Sequence, residues 1–397
     1  MKIGEIRTTV VSVPQKRAYK STWRRGYQGS AAQTAVLVEL TTDDGLTGIG
    51  EAPVVYAGRA EVTVALIDGV KDLLLGRDPF DHDIVRRQIY AETAMSHFGT
   101  QGLSWALSGI DTALWDLVGQ ACGQPIHRLW GSAWRTQSPF YGDIPAADPA
   151  EMAEEAKEWV ARGFRTLYFK VGFGQDLDVA RARAVRQAVG DGPRLRVDAN
   201  QGWSPGGARR VIAKLAEFDL EYIEQPVPAS NLEDMAFVRQ TSPIPILAHE
   251  ASLTVDGSLN VVKHQAADAL QLDPRFDAGI AGARVAASIA ETAGLPVVTH
   301  TFGELGVATA SVLHLHAAHQ NFILDNQTYY WNLTDDIIED GLMQFDGPCL
   351  PVPTGPGLGV KLDPARVRHY AEYHRSEVAD RPRHLPDDPF YDRDYIM

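Results

Sequence analysis

The sequence predicts an α/β protein whose larger part is a parallel (β/α)8 barrel of the TIM type, preceded by an α+β domain. Three observations predict it. After about Ser138, short β-branched or aromatic runs alternate with amphipathic helical segments. Eight such runs can be read, ending near Asp143, Lys170, Asp198, Glu224, His249, Leu272, Thr299 and Leu324, which argues for a closed barrel over an open sheet. Polar residues recur at the run ends with the period of one βα unit.

The elements follow in order. Ile3–Pro14 and Ala35–Thr42 are β-rich, and Asp43-Asp44-Gly45 marks a hairpin turn. Lys16 to Gly29 reads as a loop carrying Trp23, Arg24, Arg25 and Tyr27. From Ala60 to Cys122 the pattern is helical, and Gly102–Gly123 has apolar residues at helical spacing with a glycine exit. The expected division is 1–130 for the α+β domain, 131–340 for the barrel and 341–397 for a C-terminal segment. Barrel helices are expected at Pro149–Arg162, Leu177–Val189, Gly206–Phe218 and Ile280–Thr292, the first with Asp148 as N-cap and Pro149 as its first residue. In the tail, Gly355–Gly359 reads as a loop, Val367–Ser376 as a helix and Arg381–Met397 as a polar surface strand of chain.

Composition narrows the function classes. With 37 Lys and Arg against 51 Asp and Glu, the net charge of −14 repels polyanions and argues against nucleic-acid binding. Cys122 and Cys349 form no metal or disulfide motif, which fits a reducing cytoplasm. No apolar run reaches the length of a membrane span, and no signal peptide is expected. P-loop, Rossmann and GxSxG signatures are absent from the sequence. The run His314-Leu315-His316 with His319 reads as a helix surface rather than a metal cluster, because positions 314 and 316 diverge on a helix.

The chemistry lies in the recurrent polar residues. Lys170, Asp198, Glu224, Glu250, Asp273, His300 and Asp325 are spaced by 23 to 28 residues, so all are expected on one rim of the barrel. Asp198, Glu224 and Glu250 come from consecutive strands. Three facing carboxylates repel, and a hard divalent cation relieves the repulsion; oxygen-only ligation suits Mg²⁺. Asp273 beside His300 makes an oriented imidazole able to act as base or acid. Lys170, across the barrel mouth, is a second candidate base. His249 is expected to point the other way along its strand.

At this point the chain resembles the enolase superfamily, in its mandelate racemase/muconate lactonizing enzyme branch and within that the mandelate-racemase-like subgroup. The resemblance rests on GLSWALSGIDTALWDLVGQ at Gly102–Gln120, FKVG at Phe169–Gly172, VDANQGW at Val197–Trp203, YIEQP at Tyr222–Pro226, HEAS at His249–Ser252, LQLD at Leu270–Asp273 and THTFGELG at Thr299–Gly306. It implies a modified (β/α)8 barrel capped by an N-terminal α+β domain that the C-terminal tail completes, and a homo-oligomer. It implies Mg²⁺ on Asp198, Glu224 and Glu250, a base dyad of Asp273 and His300, and Lys170 as the second lysine of a KxK motif. By the same resemblance Asp325 stands near the substrate carboxylate, and Asn200 is a further candidate for substrate binding. One departure is plain: Tyr168 replaces the first lysine of KxK, supplying a hydrogen bond and no charge.

Removing the α-proton of a carboxylate makes an ene-diolate, tolerable only beside a divalent cation. The leading expectation is an acid-sugar dehydratase acting on an aldonate or aldarate, with His300 protonating a β-hydroxyl. The cationic, aromatic loops bearing Lys16, Arg17, Trp23, Arg24, Arg25, Tyr56 and Arg59 suit a polyhydroxy acid. The alternative is a racemase or epimerase of a 2-hydroxy or amino acid, in which Lys170 and His300 serve opposite faces; Trp23 stacking on a cationic amino acid would fit it. Sugar-lactone cycloisomerisation is a further option. A non-catalytic barrel would require degraded ligands, and the ligands are present.

Overall fold

The computed structural model describes residues 1–19, 30–54, 59–94, 100–131, 133–301 and 303–380. The N-terminal part opens with an antiparallel sheet of Ile3–Tyr19, Ser30–Thr42 and Thr47–Pro53. The first two strands run further than their β-rich cores suggest, so Lys16 and Arg17 lie on a strand and not in a loop. Helix Thr100–Ala121 packs on the sheet through bare backbone: a Cβ on Gly50 would sit 1.9 Å from the Gly109 carbonyl oxygen.

The barrel sheet is parallel and runs in chain order through Gly142–Ile144, Thr166–Lys170, Arg194–Asp198, Leu220–Glu224, Ile246–Ala248, Ala269–Leu272 and Val297–Thr299. Side chains alternate along each strand. Leu167, Phe169, Leu195, Val197 and Ile223 face the surrounding helices. Tyr141, Tyr168, Tyr222, Leu247 and Val298 fill the interior. An inward residue at the last position of a strand, or one step beyond, therefore lands at the barrel mouth. The helices expected between strands are present; Asp148 and Pro149 hold the expected positions at the start of Pro149–Ala161, although the Asp148 side chain makes no capping bond.

The eighth run does not become a strand. Segment 321–328 closes the ring by single contacts: Val297 N–H donates to Asn321 O at 3.0 Å, Gln327 N–H to Thr299 O at 3.2 Å, and Tyr141 N–H to Asn326 O at 3.0 Å. Leu324 thus lies near the start of the eighth crossing rather than its end.

Helix Gly306–Ala318 is enclosed on nearly all sides by barrel, cap and tail. His314 and His316 are fully buried, correcting the surface expectation. His314 Nδ1 is 2.8 Å from His127 Nδ1, and His316 bridges Ser138 and Thr299. The same helix is capped from the N-terminal domain: Glu51 accepts from Leu305 N–H at 2.8 Å and Ala308 N–H at 2.9 Å. The tail returns to the cap, where Leu358 N–H donates to Asp116 at 2.8 Å and His374 Nδ1 lies 2.9 Å from Ser12 Oγ. Its helix is Pro364–Tyr373, a few residues earlier than expected.

Candidate active site

The barrel mouth gathers one cavity lined by Lys170, Asn200, His249, Glu250, His300 and Tyr329, among others. Asp198 pairs in register with Lys170 on one side and Glu224 on the other, which sets all three on adjacent strand ends. Asp198 and Glu224 are fully buried. The rim backbone is held in left-handed conformations without glycine at Asn200 (φ 41°), Gln201 (φ 65°) and Gln225 (φ 35°). Each costs conformational energy that surrounding contacts must repay. Gln225 shows how: its Oε1 accepts from both His249 N–H and Ala251 N–H at 3.0 Å, tying the Glu224 strand end to the turn that carries Glu250.

Asp198 accepts from Asn200 N–H at 2.6 Å, from the Tyr168 hydroxyl at 2.7 Å and from the Lys170 ammonium. Burial alone would raise this carboxyl; the Lys170 charge and these bonds outweigh it and hold it below its usual value. Tyr168 points its hydroxyl at Asp198, and so acts on a carboxylate of the protein rather than reaching the cavity. Glu224 is pushed up to about 7 by burial and by the Asp198 charge.

His249 is inward, in phase with Leu247, which corrects the expectation that it faces away. Its Nδ1 is 3.0 Å from Glu224 Oε1 and 3.5 Å from Glu250 Oε2. Burial opposes its charge, but Glu250 and Glu224 win and push it up to about 9.

Across the mouth, His300 Nδ1 is 2.8 Å from Asp273 Oδ2. Burial and the neighbouring His249 charge push the His300 imidazole down to about 3. Arg275, which sequence reasoning passed over, grips Asp273 through its guanidinium; its one signal in the sequence is a basic residue three positions past a strand end.

Two further expectations are corrected. Asp325 is not on the rim: it accepts from Thr166 Oγ1 at 2.6 Å and Arg194 Nη2 at 3.0 Å, and these residues begin their strands. It therefore braces the barrel floor, about 13 Å from Lys170 at the usual strand rise. Gln327 and Tyr329 line the cavity instead, with the Tyr329 hydroxyl on Asp143 of the first barrel strand. Lys16 and Arg17 do not face the cavity either: Lys16 Nζ donates to Trp331 O at 2.8 Å and Arg17 pairs with Glu155 at 2.7 Å. Trp23, Arg24, Arg25 and Tyr56 lie outside the described residues.

Among the described residues, no three His, Cys, Asp or Glu side chains are gathered tightly enough as they stand to ligate one ion. The Lys170 ammonium lies on Asp198 and the His249 ring on Glu224. The donor chemistry nonetheless fits a hard divalent cation. The three carboxylates are the oxygen-only set such ions prefer, and Glu250 Oε2 is shut off from solvent yet accepts no hydrogen bond among the described residues.

Comparison with known protein families gives two matches along the chain. Residues 6–131 match the mandelate racemase/muconate lactonizing enzyme N-terminal domain, and residues 151–366 the enolase C-terminal domain-like family. The chain belongs to the mandelate racemase/muconate lactonizing enzyme family of the enolase superfamily. Among its relatives in that family is the L-Ala-D/L-Glu epimerase of Bacillus subtilis (strain 168), 30% identical over 91% of this chain and 97% of that protein. Another is a chloromuconate cycloisomerase of Cupriavidus necator, 32% identical over 93% of this chain and 99% of the other. Among solved structures, the dipeptide epimerase of Enterococcus faecalis V583, complexed with Mg and L-Leu-L-Tyr, superposes with a TM-score of 0.81 at 28% identity, covering 91% of this chain and 100% of the other. The protein is therefore an enzyme of the enolase superfamily whose named relatives here are isomerases. Among the described residues no helix is long and apolar enough to cross a membrane.

Proposed function

We propose that this enzyme is a racemase or epimerase that moves the α-proton of a small carboxylate, with Lys170 and His300 as its two bases. The observation that carries the reading is the placement of both side chains on one cavity, beside the carboxylate cluster. In the state described, His300 Nε2 can take the α-proton while the Lys170 ammonium returns one to the other side, which inverts the carbon between them; the opposite configuration reacts with Lys170 neutral and His300 protonated. Asp198, Glu224 and Glu250 would hold Mg²⁺. When bound, the cation would supply the positive charge that a carboxylate needs as its α-carbon loses a proton. Asn200 orients two of these ligands, donating from its backbone to Asp198 and, at 3.3 Å, from Nδ2 to Glu250.

Acid-sugar dehydration ranks second. The named relatives are epimerases, racemases and cycloisomerases rather than dehydratases. The epimerase among the relatives supports the same preference, and the dipeptide ligand of the structural neighbour makes N-acylated amino acids and dipeptides the first substrates to try.

The test is α-proton exchange in D₂O, followed by ¹H NMR, over both configurations of dipeptides, N-acyl amino acids, 2-hydroxy acids and acid sugars. Exchange from both configurations is expected, lost on chelation and restored by Mg²⁺. Lys170→Ala should abolish exchange from one configuration and His300→Asn from the other. Conversion of an acid sugar to a 2-keto acid without epimerisation would refute the reading, as would full activity in an exhaustively chelated sample.

A further inference from the structure

We infer that Arg275 is a positioning residue for the His300–Asp273 pair: its guanidinium locks the Asp273 carboxylate so that His300 keeps its proton on Nδ1 and leaves Nε2 unprotonated on the side of the cavity. The inference deepens the proposed role of His300 and rests on it, although its test does not require turnover.

The geometry is a two-pronged grip. Arg275 Nε donates to Asp273 Oδ1 at 2.7 Å and Nη2 donates to Oδ2 at 2.5 Å, while the Arg275 backbone N–H adds a third bond to Oδ1 at 3.0 Å. A carboxylate held at both oxygens cannot rotate. Oδ2 stays aimed at His300 Nδ1, 2.8 Å away, and at that separation a proton must lie between them, since two lone pairs would otherwise face. The neutral ring then has its lone pair on Nε2, the nitrogen a base needs. Nη2 also lies 3.2 Å from Nδ1, where it could donate only to the other tautomer; the closer approach of the ionised Oδ2, at 2.8 Å, favours the proton on Nδ1.

The grip is buried and balanced. Asp273, Arg275 and His300 are 1%, 7% and 7% exposed, so water has little access to replace a lost donor. Arg275 Nη1 lies 3.5 Å from Glu304, which in turn accepts from the hydroxyl of Thr301, a residue of the cavity wall. Burial would raise the Asp273 carboxyl, yet the guanidinium holds it well below the usual range, so it stays ionised whenever His300 works. A lysine could supply charge at this position but not the fork.

The test is a long-range ¹H–¹⁵N correlation spectrum of histidine-labelled protein, with the His300 signals identified by their loss in His300→Asn. The wild type should show a single tautomer, protonated at Nδ1. Arg275→Gln and Arg275→Lys should both show His300 redistributed toward the Nε2-protonated tautomer, with its nitrogen signals shifted. If both variants keep the wild-type His300 signals, the inference is wrong, whatever happens to their stability. An arginine serving only the fold would lower the urea midpoint and leave those signals in place. Should Arg275→Gln fail to fold, Arg275→Lys decides by the same criterion; a lysine variant that cannot fold either would assign Arg275 to stability and overturn the inference. Absence of α-proton exchange in a protein with the expected spectra would strike the proposed function and leave this inference standing.

Discussion

Removing one oxygen from the centre of the site, with Tyr168→Phe, isolates what the departure from KxK contributes. The ring is fully buried and stacked on Tyr141 at 4.9 Å between centroids, so phenylalanine keeps the apolar packing and leaves no cavity larger than an oxygen. What disappears is a 2.7 Å bond to Asp198 and an acceptor 2.8 Å from Lys170 Nζ. A hydrogen bond to a charged group is worth about 1.5–3 kcal/mol. Asp198 keeps its Asn200 N–H and Lys170 partners, which places the loss at the lower end, about 1.5 kcal/mol, or roughly tenfold in kcat/KM. Lys170, deprived of the phenol, pairs more closely with Asp198 and becomes less available as a base. The assay is α-proton exchange in D₂O on the best substrate of the panel, paired with calorimetric titration of Mg²⁺. If kcat/KM and Mg²⁺ affinity both stay within about twofold of wild type, the hydroxyl organises neither the carboxylate nor the lysine, and the reasoning fails.

Two further predictions concern stability. Burial lifts Glu51 from its ordinary 4.5 to about 7, Glu304 to about 8 and Asp111 to about 7, so the native state binds more protons than the unfolded chain between pH 5 and 8. Stability of the chelated protein should fall as pH rises from 5.5 to 8, by about 2 kcal/mol from Glu51 alone, offset in part by His300 and His314, which burial keeps neutral; below about pH 4 it should fall again as the unfolded chain takes up the proton that Asp273, held low by Arg275, refuses. Urea unfolding at pH 5.5 and 8 measures this, and equal or greater stability at pH 8 would contradict it. Gly279→Ala should cost roughly 2–4 kcal/mol, because Gly279 has φ +119° and an added Cβ would lie 2.2 Å from Asp111 Oδ2, the acceptor of Ala281 N–H; an unchanged urea midpoint would show that the cap helix gives way freely.

Strand periodicity carried much of the site, and its failures have a physical pattern. Lys170, Asp198 and Glu224 end their strands, so spacing alone put them on the rim. His249, not Glu250, is the inward residue of its strand, because side chains alternate and Leu247 faces in; Glu250 reaches the mouth from the turn beyond. Asp325 matched the period but belongs to the floor, since the eighth crossing starts later than its apolar run and never forms a regular strand. Gln327 and Tyr329 were hidden by the same slip. Arg275 and Glu304 were illegible for a different reason: a buried ion pair made by loops has no periodicity, and only the fold brings residues 273, 275, 300 and 304 together.

The carboxylate of Glu51 has a consequence for how the chain is made. Its two acceptors hold backbone groups 254 and 257 residues downstream, and Ser12 meets His374 across 362 residues. During synthesis the N-terminal sheet and its covering helix leave the ribosome first, yet the groups that satisfy Glu51, Ser12 and Asp116 leave almost last. At about 5–20 residues per second that is a wait of tens of seconds or so, with a buried-to-be acid facing water and an apolar face uncovered. Contacts so distant along the chain also slow the final closure. A cap transplanted onto another barrel would need more than matching loops at the cavity; it would need a helix start able to receive this acid and a tail long enough to come back over it.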